Sequence, residues 1–173
     1  VDFSKSLGSG KSDINGNFTF ELESIPSGPI AIQIQGGVFS EEASGASVLH
    51  SFSSGTFTTI LPNLTSTSVA VGPLTEIAYQ RYLANLSTAL SQGRTVEQTI
   101  EDSNYSVSKA FGLSDIVRIL PADPYSTIPN DESGKYILVL AGISKAASDL
   151  GVDSVALTRA YATDFKTDGS INP

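Results

Sequence analysis

The sequence predicts an α+β chain, with an N-terminal antiparallel β-sandwich-like part packed on a C-terminal bundle of about four helices. Three observations carry this. Apolar residues alternate with a period of two in the first part of the chain, as half-buried strands require. From Pro73 onward they recur at helical spacing between recognisable caps. Charge divides the same way: no Lys or Arg occurs from Ser12 to Gln80, and every basic residue except Lys5 and Lys11 lies from Arg81 onward. The boundary falls between residues 72 and 73, giving a β part over 1–72 and a helical part over 73–173, expected to share one core.

The elements follow in order. "NFTFEL" (17–22) places Phe18, Phe20 and Leu22 on one face and Thr19 and Glu21 on the other. "PIAIQIQ" (29–35) opposes Ile30, Ile32 and Ile34 to Ala31, Gln33 and Gln35. Before the first of these strands stands Asn15-Gly16, a hairpin dipeptide suited to a type I′ turn, which needs positive φ at both central residues. "IPSGP" (25–29) supplies the next turn, and Gly36-Gly37 a bulge or kink. "TFTTILPNL" and "TSVAV" are further strand candidates, ending near Val71.

Pro73 can open a helix without losing a needed N–H. Leu74, Ile77, Ala78, Tyr82, Leu86, Ala89 and Leu90 form its apolar stripe, and Gly93 ends it. Thr95 with Gln98 makes a capping box for a second helix carrying Val96, Ile100, Val107 and Phe111, stopped by Gly112. A Pro-rich connection (120–134) precedes a third helix with Tyr136, Ile137, Leu140, Ile143 and Ala147, ending at Gly151. Asp153 caps a fourth, with Leu157, Tyr161 and Phe165 on its face.

Composition excludes several functions. The 173 residues hold 18 acidic and 10 basic side chains, a net charge of −8. No Lys/Arg cluster exists to meet a phosphate backbone or an anionic membrane, so neither nucleic acid nor lipid is an expected partner. No apolar run is long enough to span a bilayer. The chain has no Cys, Met or Trp. Absence of Cys excludes disulfides, Cys-ligated zinc, iron–sulfur clusters and thiol catalysis. Few charges and abundant Ser and Thr in the first part suit a bacterial secreted or cell-surface protein. No signal peptide is visible and the chain starts at Val1, as expected of a processed product or an excised piece. Asn17, Asn63, Asn85 and Asn104 stand in N-x-S/T sequons, which such Ser/Thr content produces by chance; no glycosylation is read from them.

"SDINGNFTFEL", with its D-x-N-G-x-F-x-F core, resembles the hairpin of carboxypeptidase-regulatory-like domains, which are transthyretin-like β-sandwiches. "GPIAIQIQGGVFSEEASG", "VGPLTEIA" and "YATDFKTDGSI" are similar to segments of uncharacterised bacterial surface lipoproteins and modular exoproteins, in which such a sandwich precedes a helical part. The resemblance implies a sandwich fold and a surface location. It implies no catalytic residue, because these accessory domains are not the catalytic part of the enzymes they join. The family begins with a full strand before the Gly-rich stretch, whereas here only "VDFSKSLGSGK" precedes the turn.

Several side-chain groups invite chemistry and meet a plainer account. Asp13, Asn15 and Asn17 alternate oxygen ligands, but a calcium loop counted from Asp13 would need Gly and Glu where Phe18 and Ser24 stand, so turn chemistry explains them. Counted from Asp164, Asp168 and Gly169 fit a calcium loop better. Lys166 then occupies a ligand position and the sequence stops short of the loop's last ligand. Asp164 and Asp168 are therefore weak calcium candidates, and no metal or cofactor is expected. His50 is the only histidine, and nothing near it resembles a nucleophile elbow. Ser106 and Lys109 match S-x-x-K without the partner motifs of penicillin-recognising enzymes. Glu21 with Glu23, and Glu41 with Glu42, read as solvated charges that discourage sheet pairing.

The functional expectation is a non-enzymatic extracellular structural or adhesive module of a bacterial surface or appendage protein. It would meet protein through a sheet edge, the same chain type or the rest of a parent protein, and can assemble into a filament by strand donation. The interface candidates are Val1, Phe3, Leu7, Phe18 and Phe20. The alternative is a surface lipoprotein domain binding carbohydrate or a calcium-dependent ligand, with a hydrolase behind it.

Overall fold

Gly36 and Gly37, with φ of 70° and 86°, turn the chain sharply at the end of its first regular strand. The computed structural model describes residues 5–19, 21–43, 49–52, 55–65 and 68–171. Strand β1 (Ile30–Gln35) precedes the two glycines and β2 (Val38–Ser40) follows them; β3 (Leu49–Ser51) and β4 (Thr56–Leu61) form the return path. β1 pairs antiparallel with β4, Ile30 opposite Leu61 and Gln35 opposite Thr56. β2 pairs antiparallel with β3, Val38 opposite Ser51. The two glycines thus separate the two ladders, and the chain bends there. Phe52 N–H still donates to Gly37 C=O at 3.0 Å. Its ring fills the bend, 4.9 Å from the Phe57 ring and edge-on to Phe39 at 6.3 Å.

Four helices follow: α1 (Pro73–Ser91), α2 (Val96–Ala110), α3 (Glu132–Leu150) and α4 (Ser154–Asp168). Their ends are set locally. Thr95 and Gln98 exchange both bonds of the capping box, at 3.2 and 2.9 Å. Asp131 accepts from Gly134 N–H and Asp153 from Ala156 N–H, at 3.0 and 2.7 Å. Gly151 and Gly169 close α3 and α4 in the left-handed conformation. The architecture is therefore α+β, a small N-terminal β part with a C-terminal four-helix region.

The largest buried cluster joins Ile30 and Leu61 to Leu74 and Ile77 of α1, Val107 of α2, Tyr136 and Ile143 of α3 and Phe165 of α4. The segment after α2 adds Leu113, Ile116 and Val117. Tyr136 O–H donates to Ile116 C=O at 3.0 Å, which satisfies its polar end inside the core. A second cluster sets Phe52 and Phe57 against Val155, and a third sets Ile60 against Tyr82 and Ile100. Phe57 and Leu61 thus serve one side of β4 and Ile60 the other, so both faces of this strand are covered.

The β part is smaller than the sequence suggests. Residues 17–19, 21 and 22 form no strand, and 68–71 form none either; Ala70 N–H makes a single bond to Val117 C=O at 2.8 Å. The turn at 13–17 does form, but not as type I′. Gly16 alone takes positive φ, 79°, and no described non-glycine residue does. Asp13 organises it: its Oδ1 accepts from Asn15 and Asn17 N–H, both at 2.9 Å, and its own N–H donates to Asn17 C=O at 2.8 Å. A turn of this kind is held by local bonds, whereas a lone two-stranded hairpin is marginal without an apolar surface to cover it. In α1, Leu90 is 46% exposed rather than covered.

Candidate functional site

The site is the outer edge of β1. In an antiparallel pair, backbone N–H and C=O groups of alternate residues point toward the partner strand and away from it. Two bonds fix which residues do which. Thr58 N–H donates to Glu76 Oε2 of α1 at 2.7 Å, and Asn104 Nδ2 of α2 donates to Ile60 C=O at 3.0 Å. Residues 58 and 60 therefore turn their backbone groups away from β1, and residues 57, 59 and 61 pair with Ile34, Ile32 and Ile30. It follows that Ala31, Gln33 and Gln35 direct N–H and C=O outward from β1. Among the described residues none of these outward groups has a hydrogen-bond partner.

The two edges of this ladder are thus unlike. The β4 edge is closed by one carboxylate and one amide delivered from helices. Glu76 is only 6% exposed, and its second oxygen accepts from Gln80 Nε2 at 2.7 Å. The β1 edge is bare, half-buried at Ala31 and exposed at Gln33 and Gln35. It also lacks the usual deterrents to pairing. No charged residue occurs from Ser24 to Ser40, and the two nearby prolines, Pro26 and Pro29, stand before the strand.

Ahead of β1 in sequence, the described residues 5–19 and 21–29 belong to neither ladder. Leu7 is 45% exposed, Ile25 76% and Ile14 fully exposed. Phe18 is half-buried. Val1, Phe3 and Phe20, the other interface candidates, lie outside the described residues.

The remaining sequence candidates are dispersed. His50 lies on β3 with its ring 5.7 Å from that of Phe39, and its buried Nε2 has no hydrogen-bond partner among the described residues. Among the described residues no Ser–His–carboxylate relay is assembled there. Ser106 Oγ donates to Asp102 C=O within α2 at 2.7 Å. Asp164 and Asp168 stand in the last turns of α4, and Asp168 Oδ1 accepts from Ser170 N–H at 2.9 Å. No group of three or more His, Cys, Asp or Glu side chains among the described residues is placed to hold a metal ion. Asn85 and Asn104, both in sequons, use their side-chain nitrogens internally, Asn85 to Lys166 C=O at 2.9 Å.

Glu41 and Glu42 require correction. Glu41 is not a solvated edge charge: it is 6% exposed, and its Oε1 accepts from Ser154 N–H at 2.9 Å, at the start of α4. Unsatisfied N–H groups and the positive end of the helix dipole make this a favourable place for a carboxylate. Next along, Ala43 N–H donates to Ser144 Oγ of α3 at 3.0 Å, so residues 41–43 tie the β part to two helices. Burial, reinforced by the charge of Glu41, pushes the Glu42 carboxyl up. Glu76, Asn104 and Glu41 carry no sequence signal for these roles. Each is an ordinary polar residue until the tertiary fold brings a bare backbone group to it.

No helix among the described residues is long and apolar enough to cross a membrane. Comparisons with protein-family models, with curated proteins and with solved structures found no match.

Proposed function

We propose that this chain is a non-enzymatic structural or adhesive module of a bacterial cell-surface or appendage protein, and that it assembles by accepting a strand along the outer edge of β1. The observation that carries the reading is the asymmetry of the ladder. Helix side chains close the β4 edge, and the uncharged β1 edge stays open. An unpaired edge of this kind is a template for β-augmentation.

The occupant we assign is the N-terminal segment of a second copy. That segment contains the alternating "NFTFEL", whose residue types favour a strand. Donation from one copy to the next is a heterologous contact, which can propagate as an open filament.

The experiment uses the full chain. Particle mass is followed by light scattering as concentration rises, for the wild type and for Gln33→Pro. Proline at 33 removes an N–H that points away from β4, so the internal ladder keeps its bonds while the outer edge loses a donor. The wild type is expected to grow in mass and Gln33→Pro to remain monomeric, with an unchanged circular dichroism spectrum. Excess synthetic peptide covering residues 14–25 should compete with growth. A wild type that stays monomeric throughout, or a Gln33→Pro variant that grows equally, overturns the reading.

A further inference from the structure

The core side of the β1–β4 ladder is covered unevenly. On β4, Phe57, Thr59 and Leu61 are buried. Beside them on β1 stand Ile34, Ile32 and Ile30, and of these only Ile30 is buried. Ile32 packs on the main cluster and Ile34 on the Phe52–Phe57 cluster, yet both remain half-buried. The helices that cover the ladder, α1 and α2, pack on β4. Cover therefore thins toward the outer side of β1, where no further strand stands among the described residues. An open apolar row thus runs along the same edge as the outward backbone groups of Ala31, Gln33 and Gln35.

This row states what a strand added at the edge must carry. Alternate side chains of such a strand fall beside Ile32 and Ile34 and must be apolar; the residues between them fall beside Gln33 and Gln35 and must be polar. In an antiparallel pair the positions beside Ile32 and Ile34 are the non-hydrogen-bonded ones, because these two residues turn their backbone groups toward β4. Side chains approach most closely there, and aromatic against β-branched is a favourable pairing. On the other face the ladder already shows the polar counterpart: Gln33 Nε2 donates to Thr58 Oγ1 across the strands at 3.4 Å.

We propose, resting on the assembly reading above, that the incoming copy pairs antiparallel with β1 in a single register, its Phe18 beside Ile34, its Phe20 beside Ile32 and its Leu22 beside Ile30. Asn17 then meets Gln35, Thr19 meets Gln33, and Glu21 meets Ala31. Residues 17–22 and β1 match in length at six residues each. The incoming turn that Asp13 organises ends at Asn17, level with Gln35, where β1 itself stops at Gly36. Shifting the register by one residue would turn both phenylalanines to the polar face. A shift of two in one direction sets Gly16 beside Ile34, and a φ of 79° does not continue a strand. The opposite shift sets Phe18 beside Gly36, past the end of β1, and brings Glu23 as well as Glu21 onto the uncharged edge. Phe18 and Phe20 are therefore the residues that select this edge and this register.

The test is disulfide trapping between full-length copies, which is clean because the chain has no Cys of its own. Thr19→Cys and Gln33→Cys, both at exposed positions, are mixed under mild oxidation, with one variant isotope-labelled so that mass spectrometry identifies the mixed disulfide. Thr19→Cys mixed with Gln35→Cys, and with Ala31→Cys, reports the two shifted registers. The 19–33 pair should form about tenfold more mixed disulfide than either shifted pair, since diagonal neighbours lie beyond comfortable disulfide reach. Wild-type light scattering is recorded in the same buffer, so the two ideas fail separately. If the wild type grows in mass but the disulfide favours 19–35 or 19–31, or forms at none of the three, the register and its anchors are wrong and edge assembly stands. If the wild type does not grow, both fall. A disulfide closing within one chain of the double variant Thr19→Cys/Gln33→Cys, with none between chains, also overturns both, since the segment would then pair with its own β1.

Discussion

The carboxyl of Glu42 is pushed above its ordinary value of 4.5, first by burial and then by the neighbouring charge of Glu41. Glu132 moves the other way. Its carboxyl falls from 4.5 to about 2, chiefly because Lys135 donates to it and then because Ser114 N–H and O–H do. The linkage signs are opposite. For Glu42 the folded chain holds the proton more tightly than the unfolded chain, so its charge weakens the fold as pH rises through and above 4.5. Glu42→Gln is therefore expected to raise the melting temperature at pH 7 and to leave it unchanged near pH 3. For Glu132 the stabilisation is complete above 4.5 and is lost as pH falls toward 2. Glu132→Gln should lower the melting temperature at pH 7, with the difference vanishing near pH 2. Paired melting curves across this range check both. Tyr136 adds a third case: burial, helped by the charge of Asp115, pushes its hydroxyl far up, so it stays protonated as a donor to Ile116 C=O.

Among the elements, β4 depends most on its neighbours. Its outward N–H at Thr58 and C=O at Ile60 are buried, and buried backbone groups must be paired. Glu76→Leu would leave the Thr58 N–H without an acceptor, and a loss of about 2 kcal/mol is expected, the usual penalty for an orphaned buried donor. Chemical denaturation measures it. Thr95→Ala, which removes one bond of an exposed capping box, should cost about 1 kcal/mol. Entry into α3 imposes a steric demand instead. A Cβ at Gly134 would sit 1.8 Å from Pro129 C=O, while Ala122 N–H bonds Ser133 C=O at 3.1 Å and holds the connection against the helix. Gly134→Ala should therefore destabilise by about 3 kcal/mol, by forcing this loop away from the helix start.

Across the whole molecule, Leu61 is the residue through which strand and helix burial meet. It is fully buried in the cluster that spans β1, β4 and all four helices. Leu61→Ala should cost about 3 kcal/mol, within the range for truncating a buried leucine. The loss should appear as one shifted transition, followed alike by helix circular dichroism and by tyrosine fluorescence. Two transitions moving independently would contradict the continuous core. Since the described residues hold no cluster fit for a metal ion, EDTA should leave the melting temperature where it was. A fall of several degrees would direct attention back to Asp164 and Asp168.

The sequence by itself determined the α+β order, the four helices, the caps at Thr95 and Asp153, and the two long strands of the ladder. Those features rest on interactions within a few residues, such as Thr95 with Gln98 and Asp153 with Ala156, or on a periodicity that each segment carries alone. Only the tertiary structure decided that residues 17–19, 21 and 22 would form no strand, because a strand exists through a distant partner and a surface to cover it. Tertiary structure also chose which ladder edge stays open. Glu76 and Asn104 lie 18 and 44 residues from the backbone groups they satisfy, and Glu41 lies 113 residues from Ser154. A polar side chain acquires such a role only when folding presents it with an unpaired group, and that meeting leaves no local mark in the order of residues.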